Sequence, residues 1–273
     1  MEKSLFKKKP WEKTAFSKSE FWDESYAQRP FELRVPGDAL KDDIIAGIIA
    51  KESNPESKIL DLGCGMGHCS LKLSKLGKVF GVDYSRKAIE TAKKHVNAEF
   101  KVAKAEHLPF KNEFFDFIVA KDLIEHVPND LKVLKEIERV AKRNAKVIIY
   151  APFDLNKFSY STEFIVKKIF DYSLDPEVGH LRRYTPESLS RLLKKSGLKP
   201  GEFFYCVHYA LGAVALASVL GFRKVKSRKQ GIKGFKLYAL KTAFKILETF
   251  GRAEQALLKK TPGAGFFIIA EKG

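Results

Sequence analysis

Residues 58–67 read Lys58-Ile-Leu-Asp-Leu-Gly-Cys-Gly-Met-Gly67, and this stretch decides the fold. Lys58-Ile-Leu-Asp-Leu62 is a short apolar run stopped by glycine, the pattern of a buried strand. Asp61-Leu-Gly63-Cys-Gly65-Met-Gly67 then joins that strand to a helix-like segment, 67–75. Glycines at such a junction let the backbone turn tightly and approach a ligand with no side chain in the way. The next apolar run, Lys78-Val-Phe-Gly-Val-Asp83, ends in a carboxylate sixteen residues beyond Gly67. An acid at the tip of a second strand can accept both hydroxyls of a ribose lying over the glycine turn. The glycine spacing separates two cofactor classes. A dinucleotide loop wants G-x-G-x-x-G, with the helix N-terminus free to receive a pyrophosphate. Here the third glycine comes one position early, which favours a nucleoside joined to an amino acid over two phosphates.

Outward from this point the pattern stays regular. Residues 39–51 space their apolar positions as an amphipathic helix, and Ser85 is placed to cap a helix over 86–96. Strands are expected at 99–103, 116–121 and 145–150, with a helix over 130–142 between the last two. Strands alternating with helices at this spacing mean βαβ units and a parallel sheet. Right-handed crossovers place every strand's C-terminal end on one edge, where such sheets bind ligands. Beyond 151 the alternation loosens to a loop with one helix near 161–172. Thr185-Pro186 then opens a helix that Gly197 stops. Strands are expected again at 202–208 and 265–271, and 209–262 lies between them as a long insertion. Residues 1–36, aromatic and charged without clean periodicity, read as an N-terminal arm or lid.

Ile59-Leu-Asp-Leu-Gly-Cys-Gly-Met-Gly67 resembles motif I of the class I S-adenosylmethionine-dependent methyltransferases. Phe80-Gly-Val-Asp83-Tyr84-Ser85 resembles their ribose-binding strand end, and Ala105-Glu106-His-Leu-Pro-Phe110 the segment beside the adenine. Phe115 to Pro128, with Glu125-His126, is similar to their fourth strand and the turn after it. The subgroup in view is the ubiquinone and menaquinone biosynthesis methyltransferases with their small-molecule relatives. The likeness is good over 58–151 and looser over 180–208, through Gly179-His-Leu-Arg-Arg-Tyr-Thr-Pro186. It implies an α/β, Rossmann-like, seven-stranded and mostly parallel sheet with helices on both faces. The arm 1–36 and the helical insertion 209–262 would be appended to a cofactor-binding domain made of 37–208 and 263–273. Two departures stand out: Lys104 occupies a position where many relatives have an acid, and Arg143-Asn144-Ala145 replaces a glycine turn.

The resemblance also implies roles. The backbone at Gly63, Cys64 and Gly65 would face the methionine part of S-adenosylmethionine, with Asp61 helping to hold its ammonium group. Asp83 would hold the ribose, Tyr84 would cover the adenine, and Ala105 and Glu106 would line its rim. Lys121 would pass close with its backbone. The reaction would be an in-line displacement at the methyl carbon of a sulfonium, leaving S-adenosylhomocysteine. The electrophile is already activated, so alignment and exclusion of water carry most of the catalysis. A base is needed only where the acceptor must lose a proton, and histidine suits that task. His126, His180 and Tyr184 are the candidate catalytic residues, with ordering of the turn as the competing role for His126. Asp122, Glu125 and His126 also resemble an acid-x-x-acid-His group that holds a divalent metal in some quinone O-methyltransferases, yet no metal is expected here.

The formal net charge of +17 favours an anionic partner, or else reflects a Lys-rich solubilising surface. Cys64, Cys69 and Cys206 form no CxxC pair, which suggests a reducing cytoplasm and argues against structural zinc or a disulfide framework. The basic N-terminus has no apolar core behind it and so is not a secretory signal. Phe203 to Phe222 is apolar over nearly a span's length, but its first third reads better as a sheet strand. Ala210 to Leu220 is apolar on all sides, and Arg223, Lys224, Lys226, Arg228, Lys229, Lys233 and Lys236 follow with no acid between them. That pairing suits either a peripheral contact with an anionic membrane, from which a lipid-like or quinone-like acceptor is drawn, or a helical cap over the active site. RNA methylation is the rival enzymatic reading, supported by charge alone, since no RRM, KH or zinc pattern is present. A non-catalytic cofactor-binding scaffold is the third. The sequence is silent on oligomeric state.

Overall fold

A computed structural model of the chain describes residues 19–27, 31–32, 36–154, 156–157, 179–208 and 249–273. The expected helix near 161–172 and most of the insertion, 209–248, lie outside the described residues. In chain order the elements are α1 (Ser19–Ala27), α2 (Pro36–Ile49), β1 (Lys58–Leu62), α3 (His68–Leu73), β2 (Lys78–Asp83), α4 (Arg86–His95) and β3 (Glu99–Val102). They continue with β4 (Phe115–Lys121), α5 (Asp130–Val140), β5 (Ala141–Pro152), α6 (Pro186–Ser196), β6 (Leu198–Cys206) and β7 (Gly265–Lys272). Residues 249–258 are also helical.

The seven strands form one sheet in the order β3-β2-β1-β4-β5-β7-β6. The pairs from β3 to β5 are parallel, and β7 runs antiparallel to both β5 and β6. The central parallel strands β1 and β4 are buried on both faces, which is why their sequences are nearly continuous apolar runs and not alternating ones. Ile59, Leu60, Ile118, Val119 and Ala120 are each 0% exposed. On one face Val133, Leu134, Ile137 and Val140 of α5 pack with Leu189 and Leu193 of α6 against Leu60, Ile118 and Phe266. On the other, Ile45 and Ile49 of α2 and Leu73 of α3 cover Ile59, Val119 and Phe267. Each such aliphatic side chain contributes roughly 1.5–3 kcal/mol of burial.

Local signals set the helix ends. Ser85 Oγ accepts from the Ala88 N–H at 3.0 Å and so caps α4. Thr185 and Ser188 form a reciprocal capping box ahead of α6, with Pro186 at its first position and Gly197 (φ 95°) closing it. The connection from β1 crosses to β2 on one side, while β4 lies on the other. The strand order therefore reverses between β1 and β4, and the crevice beyond their C-terminal ends is where such a sheet receives ligands.

Candidate active site

A cavity of about 250 Å³ opens at that crevice. Its floor is Leu62 and Gly63 from the end of β1, with Asp83 and Tyr84 from the end of β2. The 103–106 segment forms one wall and the turn after β4, Asp122 to Pro128, the other. Trp22 and Tyr26 of α1 supply the roof. α1 is held there by Asp23, whose Oδ1 accepts from the Ser85 hydroxyl and from the Lys87 N–H at 3.0 Å. An acid at that helix N-terminus is also favoured by the α4 dipole.

The glycine turn fits a close ligand. Gly63 and Gly65 have φ of 73° and 53°, the left-handed region that favours glycine. A Cβ on Gly65 would stand 2.9 Å from the Tyr26 hydroxyl, and one on Gly63 3.0 Å from Leu123 Cδ1. Asp83 Oδ2 accepts from the Gly65 N–H at 2.8 Å and Oδ1 from the Ser85 N–H at 2.8 Å. The carboxylate is thereby aimed before any ligand arrives, with lone pairs still free for a diol. Burial raises the Asp83 carboxyl above its ordinary range, against the lowering effect of these backbone N–H groups. Lys104 places its ammonium 5.4 Å from the Tyr84 ring centroid, so at this position the cation braces the aromatic platform.

Beneath the floor lies a buried polar layer. Asp61 is 2% exposed and accepts from the Ser70 hydroxyl at 2.6 Å. Burial pushes its carboxyl up to about 6, partly offset by Ser70 and Lys121. The Lys121 side chain turns from the end of β4 to Asp42 of α2 at 2.6 Å. Lys41 of α2 meets Asp122 at 2.5 Å and Asp38 at 2.9 Å. Burial opposes the charge on both lysines, but the neighbouring carboxylates outweigh it and hold them protonated. Cys64 is buried, and burial with nearby Asp61 lifts its thiol well above the usual range, so it stays protonated.

His126 lies on the other wall, and His180, which does not line the cavity, has its ring centroid 5.0 Å from that of His126. Trp22 packs edge-on against His126 at 5.0 Å. The 179–184 segment is fastened to the β4 turn by the Leu181 N–H to Glu125 O (2.9 Å) and by Arg182, which donates to Val127 O (2.8 Å) and Pro128 O (3.0 Å). Arg183 donates to Phe153 O at 3.1 Å. Both arginines are thus committed to carbonyls of the fold. Tyr184 is 5% exposed, with its hydroxyl 2.8 Å from Asp130 Oδ2, and burial with Asp130 raises that hydroxyl's pKa.

The cavity therefore gathers Gly63, Asp83, Tyr84, Ala105, Glu106 and His126 on its walls. Asp61, Lys121 and Tyr184 lie behind those walls, each engaged by a partner in the fold. The reading from sequence missed Trp22 and Tyr26, though two aromatics four apart on a polar helix were the available signal. It also grouped Glu125 with Asp122 and His126 but not with His180, which is 55 residues away in the chain and 3.9 Å from it in space.

A profile described as a methyltransferase domain matches residues 53–178. The ubiquinone biosynthesis O-methyltransferase of Pelagibacter ubique is 33% identical over 173 residues, covering 58% of this chain and 69% of that protein. The ubiquinone/menaquinone biosynthesis C-methyltransferase UbiE of Rickettsia felis is 32% identical over 163 residues, 55% of this chain, and the match spans 64% of that relative's length. Among solved structures, a phosphoethanolamine-type N-methyltransferase 2 of Haemonchus contortus, determined with phosphomonomethylethanolamine and S-adenosylhomocysteine, superposes with a TM-score of 0.59. It is 16% identical, and the superposition covers 96% of this chain and 60% of that one, so it speaks to the fold alone. Among the described residues no helix is long and apolar enough to cross a membrane.

Proposed function

The chain belongs to the S-adenosylmethionine-dependent methyltransferases, and from that premise we propose that it methylates a small-molecule acceptor of lipid-like or quinone-like character. The observation that carries this is the Asp83 carboxylate aimed over the Gly63–Gly65 turn, beneath the aromatic roof of Trp22 and Tyr26. Asp83 takes the ribose diol of S-adenosylmethionine, Tyr84 covers the adenine, and Ala105 and Glu106 form its rim. The backbone at Gly63, Cys64 and Gly65 faces the methionine portion. Asp61 and Lys121 support that end from the buried layer. Trp22 and Tyr26 exclude water, which strengthens every electrostatic contact inside.

The acceptor enters along Leu123, Val127 and Pro128, with His126 at its end of the cavity and the His180 ring 5.0 Å from that of His126. Its nucleophile attacks the methyl carbon as the carbon–sulfur bond breaks, and the sulfur keeps that electron pair in S-adenosylhomocysteine. Where the nucleophile carries a proton, His126 or His180 receives it. Tyr184 acts as a positioning residue, holding the β4 turn through Asp130. The lipid-like or quinone-like class is supported by the apolar wall and by the two relatives named for ubiquinone biosynthesis. Pure protein incubated with methyl-labelled S-adenosylmethionine and an extract of its own source tests this, with lipid, RNA, protein and small-molecule pools separated afterwards. Label in the lipid pool is expected. Label in RNA overturns the acceptor class and makes the basic surface the substrate track. Binding of the cofactor with no labelled product favours a non-catalytic scaffold.

A further inference from the structure

We propose that the helix over 249–258 is a docking face for an anionic lipid bilayer, set at the same sheet edge as the cavity. Phe250 is 66% exposed and Leu257 83%, the two most exposed large apolar side chains among the described residues. They are seven residues apart, nearly two whole turns, so both stand on one side of the helix. Ala253 and Ala256 between them are exposed as well, and the helix's one acid, Glu254, is half-buried. Lys259 and Lys260 follow directly, both exposed. One exposed leucine is ordinary, whereas an apolar strip ending in cations matches the boundary between acyl chains and anionic headgroups.

The strip faces outward because the opposite side of the helix is fastened to the sheet. Gly251 and Gln255 are buried there. Gln255 Nε2 donates to Tyr205 O at 2.6 Å, and the Tyr205 N–H donates to Lys259 O at 2.8 Å. Arg252 pairs with Asp43 of α2. The helix thus closes against the last residues of β6. β5 and β6 both run antiparallel to β7, whose Gly265 pairs with Pro152 on one side and Cys206 on the other. The chain therefore leaves β6 at the edge where β1 and β4 also end, and the cavity opens at that edge. Charge selects the occupant. The chain carries +17, and residues 209–247, which lead into this helix, contain no Asp or Glu. Two copies meeting here would bring like charges together, whereas a bilayer with anionic lipids satisfies the apolar strip and the cations at once. Delivery of a lipid-like acceptor from that surface rests on the methyl-transfer reading, while the docking rests on this face alone.

The test sediments the full chain with vesicles of phosphatidylcholine alone and of phosphatidylcholine with phosphatidylglycerol. Binding to the anionic vesicles is expected, with release at high salt, because the attraction is screened beyond a Debye length. Phe250→Ser and Leu257→Ser should each lower vesicle affinity about tenfold, and so should Lys259→Ala combined with Lys260→Ala. S-adenosylmethionine affinity, measured on the same samples, shows that the variants are folded. An environment-sensitive fluorophore on Leu257→Cys reports the face directly, since Cys64, Cys69 and Cys206 are buried. Its emission should shift to the blue when anionic vesicles are added, and the same label on Val102→Cys, at the other end of the sheet, should not respond. No binding of the natural chain to anionic vesicles overturns the proposal, as does natural vesicle affinity in both folded serine variants. A label at position 257 already blue-shifted without lipid also overturns it, the chain itself covering the face if the shift is independent of concentration and a second copy if it is not. Binding to RNA in place of vesicles overturns it as well. Vesicle binding without methyl transfer keeps the docking face and sinks the acceptor reading alone.

Discussion

Asp83 at the end of β2 accepts the backbone N–H of Gly65 at 2.8 Å, so the acid and the glycine turn are locked to each other across two strands. The turn can make this bond because Gly65 sits at φ 53° with no side chain beneath Tyr26. The ligand-facing atoms are thus set in place by the fold, and ordering them costs little when a cofactor binds.

Gly65→Ala tests that arrangement from the backbone side. The new methyl group would stand 2.9 Å from the Tyr26 hydroxyl, in a conformation that L side chains rarely adopt. Strain of this kind amounts to about 1–3 kcal/mol. Calorimetry should show cofactor affinity reduced at least about tenfold, equivalent to about 1.4 kcal/mol, with the roof displaced. Natural affinity in the variant would mean that the turn does not approach the ligand.

Asp61 gives a prediction in pH. Its carboxyl is held at about 6 by burial, above the ordinary 3.8, so between these values the folded chain binds the extra proton. Its contribution to stability therefore rises as pH falls through 6, is complete below about 4, and is lost at neutral pH. Two units correspond to about 3 kcal/mol. Asp61→Asn cannot ionise and still offers Ser70 an acceptor. Denaturant unfolding at pH 7.5 should find it more stable by roughly 1–3 kcal/mol, with that advantage gone at pH 4. A difference that does not vary with pH would show that Asp61 is not the group concerned.

The Lys121–Asp42 pair joins β4 to α2, with Asp42 at 0% side-chain exposure. Removing one partner leaves a buried charge uncompensated, whereas removing both leaves none. Lys121→Met should destabilise by about 3–5 kcal/mol, and the double variant Lys121→Met/Asp42→Leu should recover most of that loss. Chemical denaturation of the two single variants and the double variant closes the cycle. Additive losses would contradict the pairing.

Much of this arrangement is legible in the chain. Continuous apolar runs ending in Gly63 and Asp83 announce parallel strands and their binding edge, and Ser85, Thr185, Pro186 and Gly197 mark helix ends by local chemistry. The exceptions have physical causes. Arg143 and Asn144 look like a turn, yet β5 begins at Ala141, because Ala141 pairs with Phe115 before an irregularity in the register. β6 starts at Leu198 despite Pro200 and Gly201, since it is an edge strand with a register shift between Pro200 and Phe203. The roof over Gly65 and the Glu125–His180 approach depend on tertiary proximity, which no local pattern encodes.

The central claim is that Asp83 and the glycine turn hold S-adenosylmethionine, and equilibrium binding to the natural chain and to Asp83→Ala tests it most directly. Saturable binding that S-adenosylhomocysteine displaces is expected, weakened at least about a hundredfold by Asp83→Ala through loss of the ribose bonds, worth about 1.5–3 kcal/mol each. No binding to the natural chain, or equal binding to the folded variant, would contradict it.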